Sequence, residues 1–299
     1  MGLDLRGIKI AIIGGDKRHI YLMPELIKLG ATVTAVGFLP CPELEQVRLV
    51  EKVESALQDA QVLIFPMQGT DQAGNIRTYD QDVKLCFTPA MAAAIPHGAL
   101  VIIGSARDFI KEWATKYCWK LLEIAEMDTI AILNAIPSAE GAIQLAMEKL
   151  PITIHGSNSF VLGFGRLGKT LARMLRGIGA NTTVVARKRA DLARIFEIGY
   201  RPVHCSQLHQ VIAEADVIFN SVPALILDEK MLSLMRKDTL IIDLAASPGG
   251  TDFGAAKKLG INAVLAPGLP GIAAPKTSGR ILAQVIPQLI LREIPQDYF

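Results

Sequence analysis

The stretch Ser159-Phe160-Val161-Leu162-Gly163-Phe164-Gly165-Arg166-Leu167-Gly168 constrains this chain more than any other. An apolar run of strand length enters a G-x-G-x-x-G turn. Leu167, Leu171, Met174, Leu175 and Ile178 then recur at helical spacing, and Gly177 and Gly179 can end the helix. Strand, tight turn and amphipathic helix in that order open a βαβ unit. Each glycine has its own task there: Gly163 permits the turn, Gly165 lets the backbone approach a diphosphate, and Gly168 lets helix and strand pack closely. The helix start, with Arg166 and Leu167 in its first turn, adds unpaired N–H groups and partial positive charge, so residues 163–168 are expected to bind a dinucleotide. A glycine turn that merely packs is the competing reading. The strand before it, the helix after it and a second strand at the expected distance all favour the dinucleotide.

The end of that second strand selects the nucleotide. A site for NAD carries an acidic residue about 20 positions beyond the glycines to hold the ribose diol. Here the corresponding stretch is Ala186-Arg187-Lys188-Arg189, with three cations and no carboxylate. Arg187 and Lys188 are expected to hold a 2′-phosphate through charge-assisted hydrogen bonds of roughly 1.5–3 kcal/mol each, which makes NADP the expected cofactor. NAD is the alternative if these residues form only a solvated basic turn. Asn220-Ser221-Val222-Pro223 ends another apolar run, and Ser221, Val222 and Pro223 either line the nicotinamide ribose or simply close a strand. Asp243 ends a further run ahead of Leu244–Gly250, where it either orients cofactor or substrate or caps a turn.

Short β-branched runs alternate with helix-like stretches along the whole chain, as βα units around parallel sheets require. Strands are expected at Ile8–Ile13, Thr32–Val36, Val62–Phe65, Leu100–Ile103 and Lys120–Leu122, and again at Ser159–Leu162, Thr182–Ala186, Val217–Asn220, Leu240–Asp243 and Ala263–Leu265. With 299 residues, at about 150 per domain, this is two domains. The predicted architecture is α/β: two tandem Rossmann-like, doubly wound parallel-sheet domains with a cleft between them. Residues 1–150 form a substrate or partner domain with a linker helix, and residues 151–299 form the dinucleotide domain with a C-terminal helix. The boundary is expected at Leu150-Pro151, after a helix over Ala139–Lys149, and the helix over Thr277–Arg292 is placed to pack back on the first domain. Leu44–Leu57 has amphipathic helical spacing, Pro24 weakens the helix after the first strand, and Met67–Asp82 reads as a surface excursion in preference to a lid.

Composition excludes several classes of function. At 51% hydrophobic and 20% charged the chain is too apolar for disorder, and a net charge of +2 offers no basic field for nucleic acid. The apolar runs are strand-length, so no membrane span is expected. Met1–Arg6 lacks a basic region followed by an apolar one, so the chain is expected to stay in the cytoplasm. Four cysteines without a C-x-x-C pair read as buried free thiols, and five histidines in no ligand spacing indicate no metal site. A mean hydropathy of +0.34 points to apolar surface covered by assembly, as a homo-oligomer with a heterologous partner.

Gly14-Gly15-Asp16, Ile136–Gly141, His155-Gly156-Ser157, the G-x-G-x-x-G turn, Ser247-Pro248-Gly249-Gly250-Thr251-Asp252-Phe253 and Ala266–Thr277 together resemble the A subunits of bacterial dipicolinate synthase. The resemblance runs nearly end to end; the glycine turn is generic, and the last two stretches are its specific part. It implies an NAD(P)-dependent oxidoreductase of spore formation, acting in the mother-cell cytoplasm with a flavoprotein-like B subunit. The implied reaction converts a dihydrodipicolinate-type intermediate of the lysine (diaminopimelate) branch into dipicolinate.

Catalytic residues are proposed from chemistry. A small dicarboxylate beside a nicotinamide needs cations or N–H donors at the carboxyl ends of strands. Arg18 follows the first strand and Arg107 the fourth, so both are expected at the cleft, with Ser138 and Thr277 as further substrate contacts. Ser138 is also a natural N-cap for the helix that Glu140 would begin. Glu140 and Asp243 are the candidates for the base that removes a ring proton, although an acid at a helix start is often only a dipole-favoured surface group. Lys276 either binds a carboxylate or ring nitrogen or is an ordinary surface lysine. His155 precedes the strand that feeds the glycine turn and is expected at the opposite end of the sheet, in a structural role. Two rival readings stand: another small-acid dehydrogenase, such as an alanine, 2-hydroxy-acid or shikimate dehydrogenase, and a non-catalytic dinucleotide-binding or regulatory component.

Overall fold

The structure is a computed structural model that describes residues 2–294. The chain divides into two units. One comprises the residues as far as Leu133 with those from Ala274 onward; the other is Asn134–Ala273.

In the first unit the elements are β1 (Lys9–Ile13), α1 (Lys17–Lys28), β2 (Thr32–Val36), β3 (Arg48–Val50), α2 (Val53–Leu57), β4 (Val62–Ile64), β5 (Asn75–Ile76), β6 (Leu85–Cys86), α3 (Pro89–Ala94), β7 (Leu100–Ile103), α4 (Asp108–Lys116) and β8 (Lys120–Glu123). The long helix α5 (Asp128–Lys149) follows. The second unit carries β9 (Asn158–Leu162), α6 (Arg166–Ile178), β10 (Asn181–Ala186), α7 (Arg189–Glu197), β11 (Arg201–His204), α8 (Leu208–Val211), β12 (Val217–Asn220), α9 (Glu229–Ser233), β13 (Leu240–Asp243), α10 (Phe253–Leu259), β14 (Asn262–Leu265) and α11 (Leu269–Ala273). The final helix, α12 (Pro275–Glu293), belongs to the first unit.

Each unit has a six-stranded parallel sheet, ordered β3-β2-β1-β4-β7-β8 in the first and β11-β10-β9-β12-β13-β14 in the second. Both sheets start in the middle, wind to one edge, return and wind to the other, which is the expected doubly wound topology. Alternation along the strands separates two apolar layers per sheet. Ile10 and Ile12 of β1 join one core while Ala11 and Ile13 join the other. Likewise Val161 of β9 faces one layer, and Phe160 and Leu162 face the opposite one. Strands covered on both faces are mostly apolar, which is why they are legible as short apolar runs.

Several expectations need correction. The division between units falls at Leu133/Asn134, inside α5, and not at Leu150-Pro151. The helix expected to begin at Ala139 begins at Asp128, and Pro137 lies within it. α5 is also long and apolar enough, by length and composition alone, to span a bilayer. Its apolarity serves protein packing: Ala139, Ala142, Ile143 and Ala146 lie in a core of the second unit. Leu44–Leu57 is not one helix, because Arg48–Val50 pairs in parallel with Thr34–Val36 and extends the sheet. α1 runs through Pro24, held by the fully buried Leu22, Met23 and Leu26. None of the four cysteines is fully buried; Cys86 and Cys118 are exposed.

α12 packs on α1, as the order of elements suggested, and contributes Leu282, Ile286, Leu289 and Ile290 to the core beneath it. The approach is close. A Cβ on Gly279 would stand 2.4 Å from the Arg18 carbonyl oxygen and 2.8 Å from Tyr21 Cβ.

Candidate dinucleotide site

The second sheet reverses its winding between β9 and β12, and loops at the carboxyl ends of these strands build the site. β9 runs straight into Gly163, whose φ of +99° is left-handed. A Cβ there would lie 2.5 Å from Ser221 Oγ. Ser221 directly follows β12 and clamps the turn, its hydroxyl and its backbone N–H donating to the Leu162 carbonyl at 2.8 and 2.9 Å. On Gly168 a Cβ would stand 2.1 Å from the Gly163 carbonyl oxygen, so only glycine lets α6 come this near β9. Gly165 is different: it is exposed, and an added Cβ would meet nothing within 4 Å. Two glycines are required by protein atoms, whereas the middle one faces open space, which is the arrangement a diphosphate needs to reach the backbone.

Gly165 is the N-cap of α6 and supplies no side chain to its first N–H groups. Arg166 and Leu167 open this helix, so residues 163–168 present an open turn and an uncapped helix start, features suited to a diphosphate.

Arg187 and Lys188 leave the carboxyl end of β10, beside that loop, and both are exposed. Lys188 is the N-cap of α7 without a side-chain cap bond. Behind them, His204 at the end of β11 lies opposite Ala186 in the sheet register. Its Nε2 approaches the Arg187 carbonyl oxygen at 3.1 Å.

The remaining strand ends are stiffened by internal bonds. Fully buried Asn220 holds Val222 with both ends of its amide, accepting from Val222 N at 3.0 Å and donating to Val222 O at 3.1 Å. This fixes Val222 and places exposed Pro223 at the rim. Asp243 is fully buried and accepts from Ala245 N at 3.1 Å, Gly250 N at 2.9 Å and Thr251 Oγ1 at 2.6 Å. A carboxylate held by three donors and closed from solvent anchors the 244–251 loop. The expected role of Asp243 as a base is corrected on that ground.

In the first unit the equivalent loop is closed. Gly15 N donates to the Arg77 carbonyl at 2.7 Å, and a Cβ on Gly14 would meet Arg77 O and Ile76 Cγ2 at 2.6 Å each. The 67–82 segment is therefore an excursion packed onto the first sheet, with β5 paired antiparallel to β6. Arg18, expected as a substrate cation, is buried and pairs with Asp16 at 2.6 Å, and its Nη2 lies 3.5 Å from Gln68 Oε1. Burial alone would raise the Asp16 pKa, but hydrogen bonds and charge from His19 and Arg18 outweigh it and hold the carboxyl well below the usual range. Arg107 is exposed at the N-cap of α4, and its Nε donates to the Thr70 carbonyl at 3.1 Å.

Ser138 is not an N-cap. It lies mid-helix in α5, its hydroxyl donating back to the Asn134 carbonyl at 2.8 Å. Glu140 is likewise mid-helix and exposed. It lines a groove with Met174 and Ile178 of the second half of α6, whereas the glycine loop adjoins the first turn of that helix. The expectation that Glu140 begins a helix is thereby corrected, and this placement does not support a base role at the nucleotide. Lys276 and Thr277 stand exposed in the first turn of α12, after Pro275. His155 precedes β9, at the opposite end of the sheet, with Nδ1 3.0 Å from the Ile178 carbonyl. Asn220, expected as the end of a strand that leads into the loop by the ribose, braces that loop with its amide, and His204 ends β11, a strand absent from the sequence-based expectations. No group of three or more metal-ligating side chains occurs among the described residues.

Residues 9–125 match the family described as the N-terminal domain of the dipicolinate synthase A subunit, and residues 137–248 match the D-isomer specific 2-hydroxyacid dehydrogenase, NAD binding domain. The chain is 39% identical to the dipicolinate synthase A subunit of Bacillus subtilis (strain 168) over 287 residues, 96% of this chain and 97% of the relative. The crystal structure of the dipicolinate synthase A subunit from Bacillus halodurans superposes with a TM-score of 0.89 at 38% identity, covering 96% of this chain and 99% of that one. An L-alanine dehydrogenase shares the fold, with a TM-score of 0.68 at 12% identity over 97% of this chain and 91% of its own.

Proposed function

The chain belongs to the family of dipicolinate synthase A subunits, and on that premise we propose that it is the nicotinamide-dependent oxidoreductase component that forms dipicolinate, with NADP as its cofactor. The observation that carries the reading is the open Gly165 between two glycines that protein atoms require, with cations and no carboxylate at the end of β10. In the proposed reaction a dihydrodipicolinate-type ring loses one hydride and one proton, and the gain of aromaticity drives it toward dipicolinate. The nicotinamide, when bound, accepts that hydride. Gly163, Gly165, Arg166, Leu167 and Gly168 hold the diphosphate; Arg187 and Lys188 hold the 2′-phosphate; and Ser221, Val222 and Pro223 border the nicotinamide ribose.

Arg107, Lys276 and Thr277 are the substrate contacts this reading favours. Among the described residues Arg107 uses only its Nε, toward Thr70, and keeps further guanidinium donors, and Lys276 and Thr277 are exposed in a first helical turn. Arg18 is a weaker candidate, since Asp16 already answers its charge. The proposed setting is the mother-cell cytoplasm during sporulation, with the substrate drawn from the lysine branch, and the proposed partner is a flavoprotein-like B subunit. Homo-oligomerisation is supported by the apolar groove of Ile143, Met147, Met174 and Ile178.

The test supplies the purified chain with freshly generated lysine-branch dihydrodipicolinate precursor and NADP+ or NAD+, with and without a B subunit, and follows dipicolinate and reduced nicotinamide together. Coupled formation of both, faster with NADP+, is the expected result. Product that requires the B subunit makes this chain the nicotinamide half of a shared activity, and no product under any condition overturns the reading.

A further inference from the structure

We infer that His204 is a positioning residue for nucleotide choice: it fixes the peptide from which Arg187 and Lys188 emerge, and Ser206 fixes the tautomer with which it does so. This rests on reading Arg187 and Lys188 as the 2′-phosphate contacts.

β11 lies parallel to β10 with Ala186 opposite His204, so both chains leave the sheet at the same edge. His204 Nε2 is 3.1 Å from the Arg187 carbonyl oxygen, and Nδ1 is 2.6 Å from Ser206 Oγ and 3.3 Å from Ser206 N. A carbonyl oxygen only accepts, so Nε2 carries the hydrogen in that bond. Nδ1 is then the acceptor, and the Ser206 hydroxyl and N–H both donate to it. Each ring nitrogen has one task, and the imidazole ties the Arg187 peptide to the start of the next loop.

The consequence lies in the Arg187–Lys188 link. The carbonyl of Arg187 belongs to the same peptide plane as the N–H of Lys188, so holding one orients the other. Lys188 then opens α7 with no side-chain cap of its own. The carbonyl at this strand-to-helix turn is held by an imidazole from the neighbouring strand. Arg187 and Lys188 are both exposed, and among the described residues no bond of their side chains sets where these point. An anchored peptide reduces the conformational freedom the pair loses on gripping a 2′-phosphate, and this raises affinity only for a nucleotide that carries that group.

The experiment measures dissociation constants of NADP+, NAD+ and 2′,5′-ADP by titration calorimetry for the full chain and its His204→Phe, His204→Gln, Ser206→Ala and Arg187→Ala/Lys188→Ala variants. Phenylalanine removes both ring nitrogens, whereas the glutamine amide can place a donor near the Nε2 position. His204→Phe is expected to weaken NADP+ and 2′,5′-ADP about five- to tenfold and NAD+ less than about twofold, with His204→Gln within about twofold of the parent. Ser206→Ala is expected to weaken NADP+ and 2′,5′-ADP about two- to threefold with NAD+ unchanged, and it keeps the question open to test if the phenylalanine variant does not fold. Equal weakening of both dinucleotides by His204→Phe, or no weakening of either, overturns the inference while the Arg187–Lys188 reading stands. If Arg187→Ala/Lys188→Ala leaves the ratio of NADP+ to NAD+ affinity unchanged, the reading itself fails and the inference with it.

Discussion

Three residues of one type, spaced within six positions, do three different things. Gly163 is tied to a left-handed turn against Ser221, and Gly168 to a carbonyl 2.1 Å from where its Cβ would be, whereas Gly165 meets nothing. Single alanines should therefore separate stability from binding. Gly168→Ala is expected to lower unfolding free energy by about 2 kcal/mol or more, because the backbone it meets cannot move aside as a flexible side chain would. Gly165→Ala, at an ordinary negative φ of −81°, is expected to leave the melting temperature within about 2 °C while weakening dinucleotide binding at least about tenfold. Thermal melts beside nucleotide titrations check both. A large loss of stability in Gly165→Ala would contradict the assignment of that position to the ligand.

Elements were legible where tertiary structure follows the local pattern and illegible where it overrides it. Buried strands such as β7, β12 and β13 coincide with apolar runs because a sheet covered on both faces favours apolar side chains on either side; the polar residues that end β12 and β13, Asn220 and Asp243, are buried with hydrogen-bond partners. Edge strands β3 and β11 do not show up in this way, because Arg48 and Arg201 remain exposed and pairing with β2 and β10 makes them strands. The start of α5 was missed because Pro137 and Ser138 look like the opening of a helix; Pro137 is tolerated inside one whose Ala135 and Ala139 are buried. α12 gives an element-scale prediction. Gly279→Val should push α12 from α1 and destabilise the first unit by about 2–3 kcal/mol, with dinucleotide affinity unchanged. Both tryptophans of the chain, Trp113 and Trp119, lie in that unit, so urea unfolding followed by tryptophan fluorescence reads it directly. An unchanged midpoint would mean the close crossing at Gly279 is not required.

At the scale of the whole molecule, the chain uses one strand order twice and one binding loop once. Both sheets have their glycine-bearing turn after the central strand, but Arg77 and Ile76 fill the space over Gly14 and His19 fills that over Gly15, while the space at Gly165 stays open. Calorimetry should accordingly find one dinucleotide per chain. A second site of comparable affinity would show that the 67–82 excursion leaves the first loop on binding. Only the second copy joins the open turn to a helix without a side-chain cap, whereas α1 begins with Asp16 capping its own N–H groups.

The amino-acid sequence alone determined the two α/β units, most of their central strands, the dinucleotide turn and the cations beyond it, because apolar periodicity and glycine spacing are local consequences of backbone geometry. Its resemblance to dipicolinate synthase A subunits also pointed to the family to which the chain belongs. Tertiary structure alone decided that Asp243 is an anchor, that Arg18 is answered by Asp16, that Ser138 and Glu140 lie mid-helix, and that His204 meets the Arg187 carbonyl. Each depends on which side chain, carbonyl or N–H from a distant part of the chain, or from an adjoining loop or turn, fills the space next to it, and neither composition nor spacing carries that information.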